Sequence, residues 1–142
     1  MKTVSVNAVG GEGFRIDVAA RDFNMIVDQP PAMGGVNSGP NPLEYALASL
    51  ASCMVTVGKI IAKQERIDLR GMSAKIEGDV EVDVLMGKNK ELRAGFLDIR
   101  MELVIDADMT AEEKHAFVEK IENRCPISDM IANATPVSFV IK

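Results

Sequence analysis

The sequence predicts an α+β fold with N-terminal strands, a long central helix, a β-hairpin, a pair of shorter helices and a C-terminal strand. Two stretches, residues 4–27 and 74–105, alternate apolar and polar residues, and this period of two is typical of half-buried strands. Between them an apolar stripe recurs at spacings of three and four, which predicts an amphipathic helix. No repeat or linker interrupts the 142 residues, so we expect one domain over residues 1–142.

The N-terminal strands are predicted from two alternating runs, at residues 4–8 and 14–18, and from a third short run at residues 23–27. A glycine-rich turn at residues 10–13 separates the first two runs. Residues 28–41 follow as a loop whose proline and glycine content argues against regular structure. Loops of this length in compact domains tend to be functional, so the loop is a candidate region for a site.

The long helix carries the strongest local signal in the chain. Asn41 is placed to cap it, Pro42 suits its first turn, and Glu44 completes a capping box. An apolar stripe then continues for about five turns, and we expect the helix to end near Arg66. The stripe consists of Leu43, Leu47, Leu50, Met54, Val57 and Ile61.

The second strand region predicts a hairpin with one solvent-exposed face. Residues 74–84 and 97–105 alternate apolar with charged side chains, and such alternation is typical of an antiparallel pair that covers a core on one side. Gly87, Lys88 and Asn89 form a turn signal between the two runs.

A second capping box begins at Thr110, with an acid three residues later. The helix that it starts is expected to reach about Arg124. Pro126 then interrupts the pattern, a short helix is expected to run through Asn133, and residues 137–141 are expected to form the final strand.

Composition excludes several classes of function. The net charge is −5 and the isoelectric point is about 4.9, so no basic surface for nucleic acid is indicated. The first residues lack the apolar core of a signal peptide. No run approaches the roughly 20 apolar residues of a membrane helix. We therefore expect a cytoplasmic protein with no nucleic-acid or membrane partner.

The two cysteines are the candidate reactive residues. Cys53 lies near the middle of the long helix, where a small buried apolar residue is the simpler interpretation. Cys125 directly precedes Pro126 at the start of a helical turn, where free N–H groups favour a thiolate, although it could merely cap that helix. Neither is in a CxxC pair and His115 is the only histidine, so no metal site or cofactor is expected.

Two segments resemble the OsmC/Ohr family, named for osmotically inducible protein C and organic hydroperoxide resistance protein. They are GGVNSGPNPLEYALASLASCM at residues 34–54 and RCPISDMIANATPVSF at residues 124–139. The resemblance implies an intertwined homodimer with two sites at its interface. It also implies that Cys53 reduces an organic hydroperoxide and becomes a sulfenic acid, that Cys125 resolves it as a disulfide, and that an external dithiol restores both thiols.

Two positions depart from the family pattern. The reductases place an arginine where this chain has Glu12, and Arg15 is the nearest substitute, with Arg21 behind it. They also place a glutamate at the position of Leu43, whereas the acid here is Glu44. Nine helical residues put that carboxylate on the face opposite Cys53 and about 13 Å along the axis. The Glu44 carboxylate could therefore assist Cys53 only from a partner chain. The alternative role of Glu44 is to cap the helix.

Two alternatives to a peroxidase stay open. The first is an OsmC-like redox or stress protein whose cysteines cycle but whose peroxidase activity is low, because the family's arginine is missing. The second is a non-enzymatic protein that binds an apolar small molecule in the dimer cleft. The consumption of both thiols by an organic peroxide would distinguish the enzyme from the binder.

Overall fold

The computed structural model describes all residues from Met1 to Lys142, and it confirms the α+β class. The chain divides into two compact units, Met1–Ala46 and Leu47–Lys142, called here the N-terminal and C-terminal units. The first contains a three-stranded sheet and the second a two-stranded sheet, both antiparallel. The expectation of a single domain stays a prediction.

The sheet of the N-terminal unit consists of β1 (Asn7–Gly10), β2 (Ile16–Ala20) and β3 (Phe23–Val27), in that spatial order. The third strand begins and ends as predicted. The first was expected at residues 4–8, which is wrong, because Asn7 already pairs with Ala19 near the end of β2. Only Ala20 remains in β2 beyond that pair, so residues 4 and 5 would have no partner in this strand.

The loop after β3 is more ordered than its composition predicts. Pro31–Met33 form a single 3-10 turn, so the expectation of no regular structure is wrong at these residues. Proline presets the backbone angle of the first position, and Gly34 ends the turn with φ 88°. At Gly35 a β-carbon would collide with the carbonyl oxygen of Gln29, so only glycine fits.

Helix α1 spans Pro42–Glu65, as predicted. Asn41 and Glu44 form the expected capping box: the Asn41 side chain accepts the Glu44 N–H at 2.9 Å, and the Glu44 carboxylate accepts the Asn41 N–H at 2.7 Å. The helix ends because Arg66 adopts φ 58° and the Ile67 N–H bonds back to the Ala62 carbonyl at 2.9 Å. Length and apolar composition alone would allow α1 to cross a membrane, but its second half forms much of a packed core.

The C-terminal unit contains β4 (Gly71–Asp79), β5 (Asp98–Asp106) and a short helix α2 (Val82–Leu85). The first strand of this hairpin was expected to continue to residue 84, which is wrong. Its last pair is Asp79 with Asp98, and the Glu81 side chain then accepts the Asp83 N–H at 3.1 Å and starts α2. A local cap therefore replaces pairing that has no partner strand.

Helices α3 (Ala111–Glu122) and α4 (Pro126–Ala132) complete the C-terminal unit. The capping box between Thr110 and Glu113 is present as predicted. The helices pack with α1 and the hairpin around one apolar core. Its buried residues are Leu50, Met54, Val57, Ile61, Ala62, Ile105, Ala107, Phe117, Ile121 and Cys125.

The expected C-terminal strand is absent from this chain. Residues 137–141 have no strand pairing, and the Val137, Phe139, Val140 and Ile141 side chains are 84–87% exposed. A strand forms only where a neighbouring strand supplies hydrogen-bond partners, and neither strand of the C-terminal unit pairs with this segment. The alternating pattern alone therefore does not produce a strand.

Candidate active site

Cys53 lies about midway along α1, on the border of the core of the C-terminal unit. The following residue, Met54, is completely buried, whereas Cys53 itself is half-buried and packs against that core. The apolar stripe fixes this position, because the turns that bury Leu50, Met54 and Val57 rotate Cys53 to the edge of the buried face. Cys53 is therefore positioned by the core while part of the residue stays exposed.

Cys125 lies where α3 gives way to α4, and it is 1% exposed. Its N–H still bonds to the Glu122 carbonyl at 3.3 Å, while its own carbonyl accepts the Asp129 N–H at 3.0 Å in α4. Proline at the first position of α4 suits this change of direction. The Cys125 sulfur accepts the Ser128 N–H at 3.4 Å, so the side chain caps the helix.

The fold brings the two sulfurs together. The Cys125 Sγ and Cys53 Sγ atoms are 2.9 Å apart, although 72 positions separate the residues in the sequence. Both thiols are free, and a hydrogen bond joins the two sulfurs. At this separation only a small movement is needed to form a covalent sulfur–sulfur bond of about 2.05 Å.

The surroundings of the pair keep Cys53 protonated. Burial raises the pKa of the Cys53 thiol above its ordinary value, and the hydrogen bond and charge of Cys125 raise it further. A hydrogen bond from the backbone N–H of Ile127 opposes them and lowers it. None of these groups is a cation, so this chain by itself gives a thiolate at Cys53 little stabilisation.

The two charged residues proposed from the sequence have local partners. Arg15 forms an ion pair with Asp17, with its Nη2 atom 2.8 Å from the Asp17 Oδ1 atom. Glu44 is occupied by the capping box with Asn41. Arg21, the other candidate cation, lies over the Phe23 ring at 4.9 Å from its centroid.

Asp28 is a buried charged residue that the sequence reasoning missed. Its carboxylate is 1% exposed and accepts four hydrogen bonds: the N–H of Gln29 at 2.8 Å, of Val36 at 3.2 Å and of Ser38 at 2.9 Å, and the Ser38 hydroxyl at 2.8 Å. The Ser38 and Gln29 N–H groups lower the pKa of Asp28 the most, to about 2. The only local signal was an acid placed just before a glycine-rich loop.

The N-terminal unit also contains an apolar cavity of about 360 Å³ between its sheet and the start of α1. The hydroxyl of Tyr45, which lines the cavity, donates a hydrogen bond to the Ile26 carbonyl oxygen at 2.9 Å and is therefore already satisfied. The cavity offers contact area to an apolar group and no hydrogen bonds. It is lined by Ala8, Ile16, Val18, Met25, Val27, Pro42 and Tyr45.

Comparison with known proteins adds independent findings. A family model described as OsmC-like protein matches residues 35–140. An organic hydroperoxide resistance protein from Xanthomonas axonopodis pv. citri is 23% identical over 141 residues, which are 98% of this chain and 93% of that protein.

Solved structures show the same fold at low identity. An OsmC-like protein from Mycoplasma pneumoniae superposes with a TM-score of 0.81 at 19% identity, covering 94% of this chain and 89% of its own. An organic hydroperoxide resistance protein OsmC from Legionella pneumophila gives a TM-score of 0.72 at 21% identity, covering 92% of this chain and 90% of its own.

Proposed function

We propose that this chain, which belongs to the OsmC-like protein family, is a thiol-dependent peroxidase that reduces organic hydroperoxides. The observation that carries the proposal is the 2.9 Å separation of the Cys53 and Cys125 sulfurs. A structural role in a core requires no such contact between cysteines from two different helices. The name of the Xanthomonas relative supplies the class of substrate.

The proposed reaction has two steps on the protein. The Cys53 thiolate attacks the terminal oxygen of the hydroperoxide and becomes a sulfenic acid as the O–O bond breaks. The leaving alkoxide takes a proton from water and departs as the alcohol. The Cys125 sulfur then attacks the Cys53 sulfur and expels water, which leaves a disulfide between the two residues. An external dithiol returns two electrons and two protons, and both thiols are restored. The reaction requires neither a metal nor an organic cofactor.

Other parts of the proposal concern assembly and supporting charges. We propose that the protein is cytoplasmic. We also propose that it is a homodimer, since the family resemblance implies two chains that share their sites. Because the pKa of Cys53 is raised, the thiolate needs a cation, and we propose Arg15 for that role. We propose that the Glu44 carboxylate assists from a partner chain, because the geometry of α1 turns it away from Cys53 of its own chain.

A second candidate function is a redox or stress protein with low peroxidase activity. The raised pKa of Cys53 favours it, because only the thiolate is nucleophilic and little of it exists near neutral pH. The two candidates share the disulfide and differ in rate. A high rate of peroxide consumption at pH 7, rising little toward pH 9, would favour the peroxidase.

The test is a stoichiometric titration of the reduced protein with an alkyl hydroperoxide. We expect one equivalent to consume both thiols and to leave an intramolecular disulfide, detected by mass spectrometry as a loss of two hydrogens. Cys53→Ser should abolish consumption, to less than about 1% of the wild-type rate. Met54→Leu, a volume-conserving change beside it, is the matched control and should keep the activity. Continued peroxide consumption by Cys53→Ser would refute the role assigned to Cys53.

A further inference from the structure

The two sulfurs of the pair differ in burial. Cys125 is 1% exposed and belongs to the core cluster with Phe117 and Ile121, whereas Cys53 is half-buried at the border of that core. A disulfide between them would therefore present one reachable sulfur and one enclosed sulfur. Thiol–disulfide exchange depends on which sulfur is attacked and on which thiolate leaves, so this asymmetry has chemical consequences.

From this asymmetry we infer that reduction of the disulfide is directional: an incoming thiolate attacks the Cys53 sulfur, and Cys125 is the leaving group. The attacking thiolate must approach along the line of the sulfur–sulfur bond, from the side opposite the leaving sulfur. For Cys125 that approach would have to displace core residues. Cys53 is only half-buried, so an approach to its sulfur displaces less of the core.

A hydrogen bond to Cys125 also favours its departure as a thiolate. The Cys125 sulfur accepts the Ser128 N–H at 3.4 Å, and this hydrogen bond strengthens when the sulfur gains negative charge. A sulfur that leaves as a stabilised thiolate leaves faster. The difference in access therefore sets the direction of exchange, and the Ser128 hydrogen bond supports the departure of Cys125.

The electron pair of the external thiolate forms a new bond to the Cys53 sulfur, and the bond between Cys53 and Cys125 breaks with its pair on Cys125, which then takes a proton. The second thiol of an external dithiol displaces the Cys53 sulfur from the mixed disulfide. Both protein thiols are restored and the reductant ends as a disulfide. This inference rests on the proposed function only in that the working cycle passes through the disulfide.

The experiment traps the mixed disulfide on the full-length wild-type chain. The disulfide is formed with diamide, so no peroxidase activity is needed, and the oxidised protein is then exposed briefly to glutathione and quenched with acid. Trypsin separates the cysteines onto peptides 22–59 and 125–142, and mass spectrometry locates the glutathione. We expect about tenfold more adduct at Cys53 than at Cys125 in the folded chain, and nearly equal adducts in urea, where both sulfurs are accessible.

A second measurement tests the inference if the mixed disulfide returns to the intramolecular disulfide too quickly to be trapped. Single-cysteine variants are reacted with glutathione disulfide, and Cys125→Ser, which keeps Cys53, should react about tenfold faster than Cys53→Ser. Equal rates, or a preference for Cys125 in either experiment, would overturn the inference. A protein that fails to reduce peroxides but shows this preference would refute the proposed function and leave the direction of exchange intact.

Discussion

Asp28 in the N-terminal unit and the cysteine pair in the C-terminal unit are both enclosed polar groups, yet the fold treats their charge in opposite ways. Four hydrogen bonds stabilise the Asp28 carboxylate and hold its pKa at about 2. At Cys53, burial and the neighbouring thiol raise the pKa. The loop is built around a stabilised carboxylate, whereas the surroundings of Cys53 disfavour its thiolate.

The largest effect should come from removing the enclosed sulfur of the pair. Cys125→Ser keeps the thiol that we propose to react with peroxide and removes the thiol that resolves the sulfenic acid. We expect one equivalent of peroxide to be consumed, followed by a loss of sustained turnover of about 100-fold. A dimedone adduct on Cys53, absent in the wild type, would report the trapped sulfenic acid. Sustained turnover without that adduct would contradict the role of Cys125.

Removing the Asp28 carboxylate should cost stability in a manner that depends on pH. In Asp28→Asn the amide cannot accept all the donors that converge on the carboxylate, so the free energy of unfolding should fall at pH 7. Because the folded pKa of Asp28 is about 2, below its ordinary value of 3.8, its contribution is complete above about pH 5 and is lost as pH falls toward 2.

Urea unfolding of the two proteins between pH 2 and pH 7 measures this difference. The wild-type and Asp28→Asn curves should be furthest apart near neutrality and approach each other in acid. Asp17→Asn is the matched control, since Asp17 is an exposed strand residue with one ion pair. A constant gap over the whole pH range would show that the charge of Asp28 is not what stabilises the loop.

The two regions also differ in how far the sequence predicts them. Helix α1 and both capping boxes depend on residues three or four positions apart, so local pattern is enough. The surroundings of Asp28 and of the cysteine pair depend instead on contacts between residues distant in the sequence. The N–H groups that bond to Asp28 lie up to ten residues away, and 72 positions separate Cys125 from Cys53. Only the family resemblance predicted that the cysteines form a pair. The strand expected at residues 137–141 is absent, because an alternating pattern cannot supply a partner strand.

A smaller effect should follow from removing the cation proposed to support the thiolate. If Arg15 stabilises charge at Cys53, Arg15→Gln should slow the alkylation of Cys53 by iodoacetamide at pH 7 by about threefold to tenfold, with the rates converging above the pKa of the thiol. Arg21→Gln is the matched control, since its guanidinium lies over the Phe23 ring. Alkylation of Arg15→Gln at the wild-type rate would remove Arg15 from the site and favour the redox protein of low activity.

The smallest effect should come from Glu44, where capping and catalysis can be separated. Glutamine also completes a capping box, so Glu44→Gln should change the free energy of unfolding by less than about 0.5 kcal/mol, as should Glu113→Gln in the second box. If the Glu44 carboxylate acts from a partner chain, Glu44→Gln alone should lower kcat for an alkyl hydroperoxide by a few-fold. Because stability is matched between the variants, unchanged kcat in Glu44→Gln would limit this residue to holding the start of α1.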